Sequence, residues 1–475
     1  MYPELTLVLN GRKITARERD GEDVINPATG QAIAPLPHAT AADLDEALDT
    51  AQRSFKTWRN VSAYERAKVI RRAADLICER GDALACIVST EQGKPLREAK
   101  GEIALSTDTL DWLADEGRRA YGRLIPPRVT HARLMVQPEP IGPVAALTPW
   151  NFPVLTPCRK IGAALAAGCS IILKASEETP GTAVEIVRAF HDAGLPDGVL
   201  QLVFGVPDQV SRHMLGSEII RKVSFTGSVR VGVLLTELAA PTLKRLTLEL
   251  GGHAPVVVFP DADLDLAIQT AAGYKFRNAG QVCVAPTRFF VHEAVHDDFV
   301  DRINRFVSEI VVGNGLEDRT TMGPLANARR VEAMEGFVAD ARSRGATVSE
   351  GGQRLGNQGY FFAPAVISGL DDQARIMREE PFGPLAPVAR FREMDEVVER
   401  ANALPFGLAS YAFTRSDRTA REIGDRLEAG MVGINSIAIS LPEAPFGGVK
   451  MSGDGQEGGI EGLDVYMVKK LIAHH

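Results

Sequence analysis

Apolar positions along this chain change their period in blocks. From Thr40 to about Tyr121 they recur at spacings of three and four, as in Leu44, Ala47, Leu48, Ala51 and Phe55, which predicts amphipathic helices. Ser62 with Glu65 predicts a capping box at the start of one of them. This stretch reads as padding around the chemistry rather than a source of it. From Pro143 to Glu249 the pattern switches to short β-rich runs: Val144 to Leu147, Ser170 to Leu173, Val199 to Val203, Lys222 to Phe225 and Arg245 to Leu248. Amphipathic stretches lie between them, and that alternation predicts a doubly wound parallel sheet.

A second alternating block runs from Pro255 to about Asn435. Helices are predicted at 264–276, 297–311 and 326–343, and strands near 287–291 and 410–414. Together they predict a second α/β unit, with the division near Glu249 to Gly252. The segments 133–137 and 464–473 fit neither core. The longest apolar run, Ile161 to Leu173, is interrupted by Gly and Ser and falls short of the roughly 20 residues that span a bilayer, so it reads as a buried helix followed by a strand. No repeat or low-complexity segment is visible.

With 475 residues, the chain exceeds what one core usually holds, so two or three domains are expected. A net charge of −8 argues against a nucleic-acid partner, because phosphate binding needs a basic face. Any anionic substrate must then be held by local arginines. Cysteines at 78, 86, 158, 169 and 283 are too irregularly spaced for a disulfide framework or a zinc cluster, which suits a reducing compartment. The start, Met1 to Leu5, lacks the basic and apolar segments of a signal peptide. A cytoplasmic location is therefore expected, with no membrane partner.

One motif is a false lead. His292-Glu293-Ala294-Val295-His296 matches the zinc-protease pattern, which needs both histidines on one helical face. Arg288 to Val291 is β-rich, so His292 is predicted to end a strand and His296 to begin a helix. No metal is expected.

Two short motifs carry chemistry. Leu248-Glu249-Leu250-Gly251-Gly252 and Gly280-Gln281-Val282-Cys283 place one acid and one thiol in small-residue settings. A deprotonated thiol is a strong nucleophile and a carboxylate can serve as a base. Glu249 ends an apolar run, and partial desolvation there raises its pKa in the direction a base needs. Taken alone, Cys283 reads as a small buried hydrophobe, the usual fate of a free cysteine, and Glu249 as an ion-paired strand terminus.

Seven segments in order settle on a family. Thr148 to Pro153, Leu173 to Pro180, Phe225 to Ser228, Leu248 to Gly252, Gly280 to Cys283, Glu380 to Pro384 and Pro445 to Gly448 resemble the signature set of the aldehyde dehydrogenase superfamily. Within it the chain most resembles the NAD-dependent succinate semialdehyde and α-ketoglutarate semialdehyde dehydrogenases, through Asp115 to Arg119, Tyr121 to Arg123 and Lys275 to Asn278. The resemblance implies that fold: an α/β, Rossmann-like NAD-binding domain (1–122 and 142–249), a second α/β catalytic domain (250–437) carrying the thiol, and a small β oligomerisation arm (123–141 and 455–475). It further implies a homodimer or homotetramer.

By the same resemblance, Cys283 is the nucleophile, Glu249 the base that frees the acid, and the Asn151 amide, with the Cys283 N–H, the oxyanion donor pair. Read alone, Asn151 would cap the following helix. The positions implied for cofactor contact are Thr148, Pro149, Trp150, Lys174, Ser176, Glu177, Phe225, Thr226, Gly227, Ser228, Val231, Gly232, Leu250, Glu380 and Phe382. Glu177 after an apolar strand suits a ribose 2′-hydroxyl and repels an added phosphate, so NAD is expected over NADP. Taken alone, Lys174 and Glu177 read as a solvated turn, Glu380 as a surface acid and Phe382 as a core aromatic. Gly227 and Gly232 are not the usual dinucleotide spacing; the family uses this variant.

Arg159, Arg277 and Ser440 match the positions that grip the substrate's distal carboxylate in the semialdehyde enzymes, where guanidinium groups bond bidentately. Without the family, each arginine reads as surface or ion-paired. The chain departs from many relatives at Ala285, where a second cysteine can form a redox disulfide. The leading expectation is NAD-dependent oxidation of succinate semialdehyde to succinate through a cysteine thiohemiacetal and thioester. α-Ketoglutarate semialdehyde, a broad aldehyde range, and a silent binding protein of the same fold remain open alternatives.

Overall fold

Strands made of four or more consecutive apolar residues must be covered on both faces, which requires helices above and below the sheet. The computed structural model, which describes residues 2–475, has two such sheets. The first orders its strands Arg12–Thr15, Thr6–Leu9, Leu200–Val203, Ile171–Lys174, Val144–Leu147, Lys222–Gly227, Arg245–Leu250 and Gly453–Asp454. Its central five run parallel. The chain builds outward from Val144–Leu147 to Leu200–Val203, then restarts on the other side at Lys222–Gly227. Between those two starts lies the topological switch point, where open α/β sheets leave a crevice at their carboxyl ends.

The second sheet orders Thr347–Val348, Ala365–Ser368, Leu385–Phe391, Pro286–His292, Ala254–Val258, Ala409–Phe413 and Met431–Ile434. Only the first pair is antiparallel. Each sheet has its own apolar core, and Leu463 and Tyr466 near the C-terminus return to the first. The leftover segments pair with each other: Met467–His474 runs antiparallel along Arg133–Pro140, which also pairs with Arg123–Ile125. No helix among the described residues is long and apolar enough to cross a membrane.

The helical block comprises Ala41–Trp58, Ala63–Glu79, Gly81–Gln92 and Leu96–Arg119. The reciprocal capping box sits at Thr40 and Asp43, where Thr40 Oγ1 accepts from the Asp43 N–H (3.2 Å) and the Asp43 carboxylate accepts from the Thr40 N–H (2.8 Å). Ser62 makes only its half, accepting from the Glu65 N–H. Arg19 explains the preference, because its guanidinium bonds both Asp43 oxygens (2.7 and 2.8 Å) and holds that carboxyl well below the usual range. Not foreseen were the N-terminal strands, of which Thr6–Leu9 is wholly buried and joins the first sheet.

Two expectations in the second block need correction or detail. The helix predicted over 264–276 is broken by a wide π turn at Ile268–Ala272. Beyond that turn Lys275 is buried, with its ammonium on the Gly383 carbonyl (2.8 Å), while Tyr274 and Arg277 line a cleft. His292 ends the strand Pro286–His292 and His296 opens the helix His296–Ser308, as the β-rich flank predicts.

Candidate active site

Gly251, Gly252 and His253 alone separate the last parallel strand of the first sheet from Ala254–Val258 of the second. The short link sets the carboxyl ends of one sheet against the amino ends of the other. Between them opens a cleft of about 710 Å³ whose wall includes Asn151, Arg159, Glu249, Arg277, Cys283 and Ser440. Residues spread over most of the sequence thus meet in one place. Pro149, Trp150, Thr226, Gly227, Ser228 and Leu250 line the same cleft, as do Glu380 and Phe382. Thr148, Lys174, Ser176, Glu177, Phe225, Val231 and Gly232 do not line it; the first five lie at neighbouring strand ends and the last two in the first turn of the helix Val229–Ala239.

Cys283 precedes the strand Pro286–His292 on a loop with an unusual backbone. Asn278, Ala279 and Gly280 are all left-handed, with φ of 50°, 53° and 74°. Asn and Gly accept that conformation readily, whereas Ala279 costs about 1–2 kcal/mol. Gly280 is required for a second reason, since a Cβ there would stand 2.2 Å from the Gly383 carbonyl oxygen. The loop therefore packs on the turn bearing Phe382, itself at φ 44°, whose ring meets Trp150 edge-on at 5.6 Å. Burial, with Glu380 and Glu249 nearby, pushes the Cys283 thiol up to about 12, opposed by Arg159. At neutral pH the resting thiol is protonated.

Glu249 ends its strand 3 % exposed, and both carboxylate oxygens lack a hydrogen-bond partner. Burial raises its pKa well above the ordinary carboxylate value, and the neighbouring Glu457 raises it further, against Lys160 and Arg159. A buried, unbonded carboxylate is costly to a fold, and its environment suits a group that takes a proton. It is not the ion-paired terminus of the bland reading.

Asn151 is not a helix cap. The helix Leu155–Ala167 starts further on, and Glu102 Oε1 accepts from the Val154 and Leu155 N–H groups at 2.7 and 3.0 Å. The Asn151 amide instead donates to the Gln281 carbonyl at 3.0 Å, two residues before the thiol. Its own carbonyl accepts from Asn278 Nδ2 (2.9 Å) and Lys94 Nζ (2.8 Å).

At the switch point the hydroxyls of Thr148 and Thr226 are buried without a partner. Lys174 pairs with Glu177 at 2.5 Å, and Glu177 accepts from the Gly205 N–H at 3.4 Å. Ser176 donates to Glu178 at 2.6 Å. Ser228 caps the helix Val229–Ala239 by accepting from the Val231 N–H. A Cβ on Gly227 would collide with the Phe225 ring at 2.3 Å, and one on Gly232 with Leu250 at 2.6 Å. Glu380, pushed up to about 7 by burial, accepts from the Gly252 N–H at 3.4 Å.

At the other end Arg159 is 5 % exposed and bonds Ser440 Oγ at 2.8 Å, with Phe446 4.4 Å beneath it. Arg277 lies over Phe152 and Tyr274 at 5.5 and 5.6 Å. Neither guanidinium forms an ion pair with a carboxylate among the described residues, although the buried Lys94 and Lys160 both do.

Four polar residues at the site escaped the sequence reading. Lys160 is fully buried, pairs with Glu457 and bonds Ser224 Oγ at 3.1 Å; Glu457 lines the cleft. A lysine heading the apolar run Ile161 to Ala167 was the available signal for the first; Glu457, among glycines, offered none. Lys94 and Glu102 come from the helical block read as padding, which that reading misjudged.

The aldehyde dehydrogenase family model matches residues 14–472. The chain is 44% identical to a 4-(hydroxymethyl)benzenesulfonate dehydrogenase of Comamonas testosteroni, covering 98% of this chain and 97% of the other. It is 42% identical to an NADP(+) succinate-semialdehyde dehydrogenase of Escherichia coli, covering 98% and 96%. Among solved structures, a succinate-semialdehyde dehydrogenase from Burkholderia pseudomallei superposes with a TM-score of 0.97 at 44% identity, covering 99% and 98%.

Proposed function

The chain belongs to the aldehyde dehydrogenase family, and on that premise we propose that it oxidises an aldehyde bearing an anion at its far end. Succinate semialdehyde is the leading substrate and other ω-oxo acids are the nearest alternatives. The observation that carries this is the pair of cleft guanidiniums, Arg159 and Arg277, neither of which forms an ion pair with a carboxylate among the described residues. Buried charges are paired in folded proteins unless a ligand completes them. The substrates named for the Comamonas and E. coli relatives both carry an anion remote from the reacting carbon.

In this reading Glu249 takes the Cys283 proton and passes it to solvent, the sulfur bonds the carbonyl carbon as the C=O π bond opens, and the Asn151 amide holds the developing oxyanion. A nicotinamide dinucleotide, when bound, supplies the acceptor for the hydride that leaves that carbon. The acyl group then remains on Cys283 as a thioester. Glu249 takes a proton from water, the resulting hydroxide displaces the sulfur, and the acid departs.

The residues present fit the dinucleotide. Thr148 and Thr226 offer unsatisfied hydroxyls at the switch point, the missing Cβ atoms at Gly227 and Gly232 keep the strand–helix turn close, and Lys174 with Glu177 stands at an adjacent strand end. A carboxylate there favours a free ribose hydroxyl, so NAD is the proposed cofactor. The first sheet is then the cofactor half, the second the thiol half, and the three-stranded arm the contact between subunits.

A panel of succinate semialdehyde, a longer ω-oxo acid, a formylbenzenesulfonate and butanal, each with NAD and with NADP, tests the reading by reduced-cofactor absorbance. The anionic aldehydes should lead in kcat/KM, with NAD ahead of NADP. Butanal matching them would sink the substrate proposal, and NADP in the lead would sink the Glu177 argument.

A further inference from the structure

Lys94 is 2 % exposed, yet lies in the block that sequence reads as padding. Its ammonium donates to Glu102 Oε2 at 2.5 Å and to the Asn151 carbonyl at 2.8 Å, and sits 4.4 Å from the centre of the Phe152 ring. Glu102, fully buried, spends its other oxygen on the Val154 and Leu155 N–H groups. One ion pair therefore grips the segment 151–155 at both ends, its cation on the first carbonyl and its anion on the last two amides. The Asn151 carbonyl is shared with Asn278 Nδ2, while the Asn278 N–H donates to Glu98 at 2.8 Å and Gln92 donates to Asn278 Oδ1 at 2.8 Å.

A buried ion pair is a weak source of stability, because desolvation offsets most of the attraction and apolar residues of the same volume often serve a fold as well. Apolar residues cannot donate to the Asn151 carbonyl. What this pair supplies, beside the Asn278 amide, is direction for one peptide and the side chain it carries.

We propose that Lys94 and Glu102 are positioning residues for the reaction, retained to fix the Asn151 amide where the oxyanion forms rather than to hold the fold together. This rests on Asn151 being the oxyanion donor. A displacement of about 1 Å at such a donor can cost on the order of 10²-fold in rate, whereas cofactor binding and the intrinsic reactivity of the thiol are untouched.

The test uses the full-length enzyme carrying both Lys94→Met and Glu102→Gln, which removes both charges, keeps both shapes and leaves an amide carbonyl to accept from the Val154 and Leu155 N–H groups. The expected result is a thermal midpoint close to the parent's, a kcat lower by about 30–100-fold, and an unchanged KM for the dinucleotide. Alkylation of Cys283 by iodoacetamide, which forms no oxyanion, should keep its parental rate. A parental kcat overturns the proposal, and so does a fall in alkylation that parallels the fall in kcat. Lys94→Met alone leaves Glu102 buried and unpaired, so if it fails to fold the double variant decides. Asn151→Ala run beside them separates the two readings: full activity there removes Asn151 from the oxyanion role, whereas a slow Asn151→Ala with a normal double variant removes only the clamp.

Discussion

The polar groups around Cys283 form two populations. Behind the Asn151 turn, Gln92, Lys94, Glu102, Asn278 and Gln281 each bond other protein groups, so that almost no donor or acceptor is wasted. Facing the cleft, Glu249 and Thr226 have polar atoms with no partner, and neither Arg159 nor Arg277 forms an ion pair among the described residues. The first population costs little to bury because it is saturated. The second is expensive as it stands, and becomes satisfied only when something binds or reacts. Saturation marks what must not move, and vacancy marks what must be met by substrate.

The sharpest break in that contrast is Cys283→Ser, which should lower kcat by at least ~10⁴-fold, since a lone nucleophile typically carries a loss of that order. Reduced-cofactor absorbance reads it, and surviving turnover removes the thiol from the mechanism. Next is Glu249→Gln, expected to slow turnover by about 10²–10⁴-fold and to leave an acyl group on Cys283 visible by intact mass. The same substitution should stabilise the fold. A carboxyl whose folded pKa is raised costs nothing below the ordinary carboxylate range and progressively more as pH climbs toward the folded value. The variant's advantage in thermal midpoint should thus widen as pH rises from 5, and a constant gap would mean that burial does not raise the Glu249 pKa.

A smaller effect is expected at the far end. Arg277→Ala should raise KM for an anionic aldehyde by about 10–100-fold, matching the loss of roughly 1.5–3 kcal/mol in a charge-assisted bond, with butanal unaffected. Equal losses for both aldehydes would make the arginine structural. The smallest change is at Glu457→Gln. Removing that neighbouring negative charge lets Glu249 ionise more readily, so the rising limb of the pH–rate profile should move to lower pH. A shift the other way would contradict the coupling.

Much of this was readable in the chain because runs of apolar residues and glycine-bearing turns are local signals. The strands ending at Leu147, Lys174, Gly227 and Leu250 announce themselves within a few residues. Thr6–Leu9 does not, because a four-residue strand before a charged hairpin has no period to detect. The π turn at Ile268–Ala272 was invisible for a related reason: one extra residue in a helical turn leaves the composition unchanged. Lys94 and Glu102 were misjudged because their meaning lies in contacts with residues about fifty positions away. A buried charge is defined by its partner, and helical periodicity says nothing of partners.

Ala285, two residues beyond the nucleophile, has a consequence under oxidative stress. Peroxides attack thiolates, and a sulfur kept protonated by its surroundings is a slow target. Once it has become a sulfenic acid, however, no second cysteine among the described residues lines the cleft to capture it. Without a resolving thiol in the protein, a sulfenic acid that solution thiols do not reach first should run on to the sulfinic acid, which ordinary reductants do not reverse. Recovery of activity by dithiothreitol after prolonged peroxide treatment would show that oxidation had stopped short of the sulfinic acid.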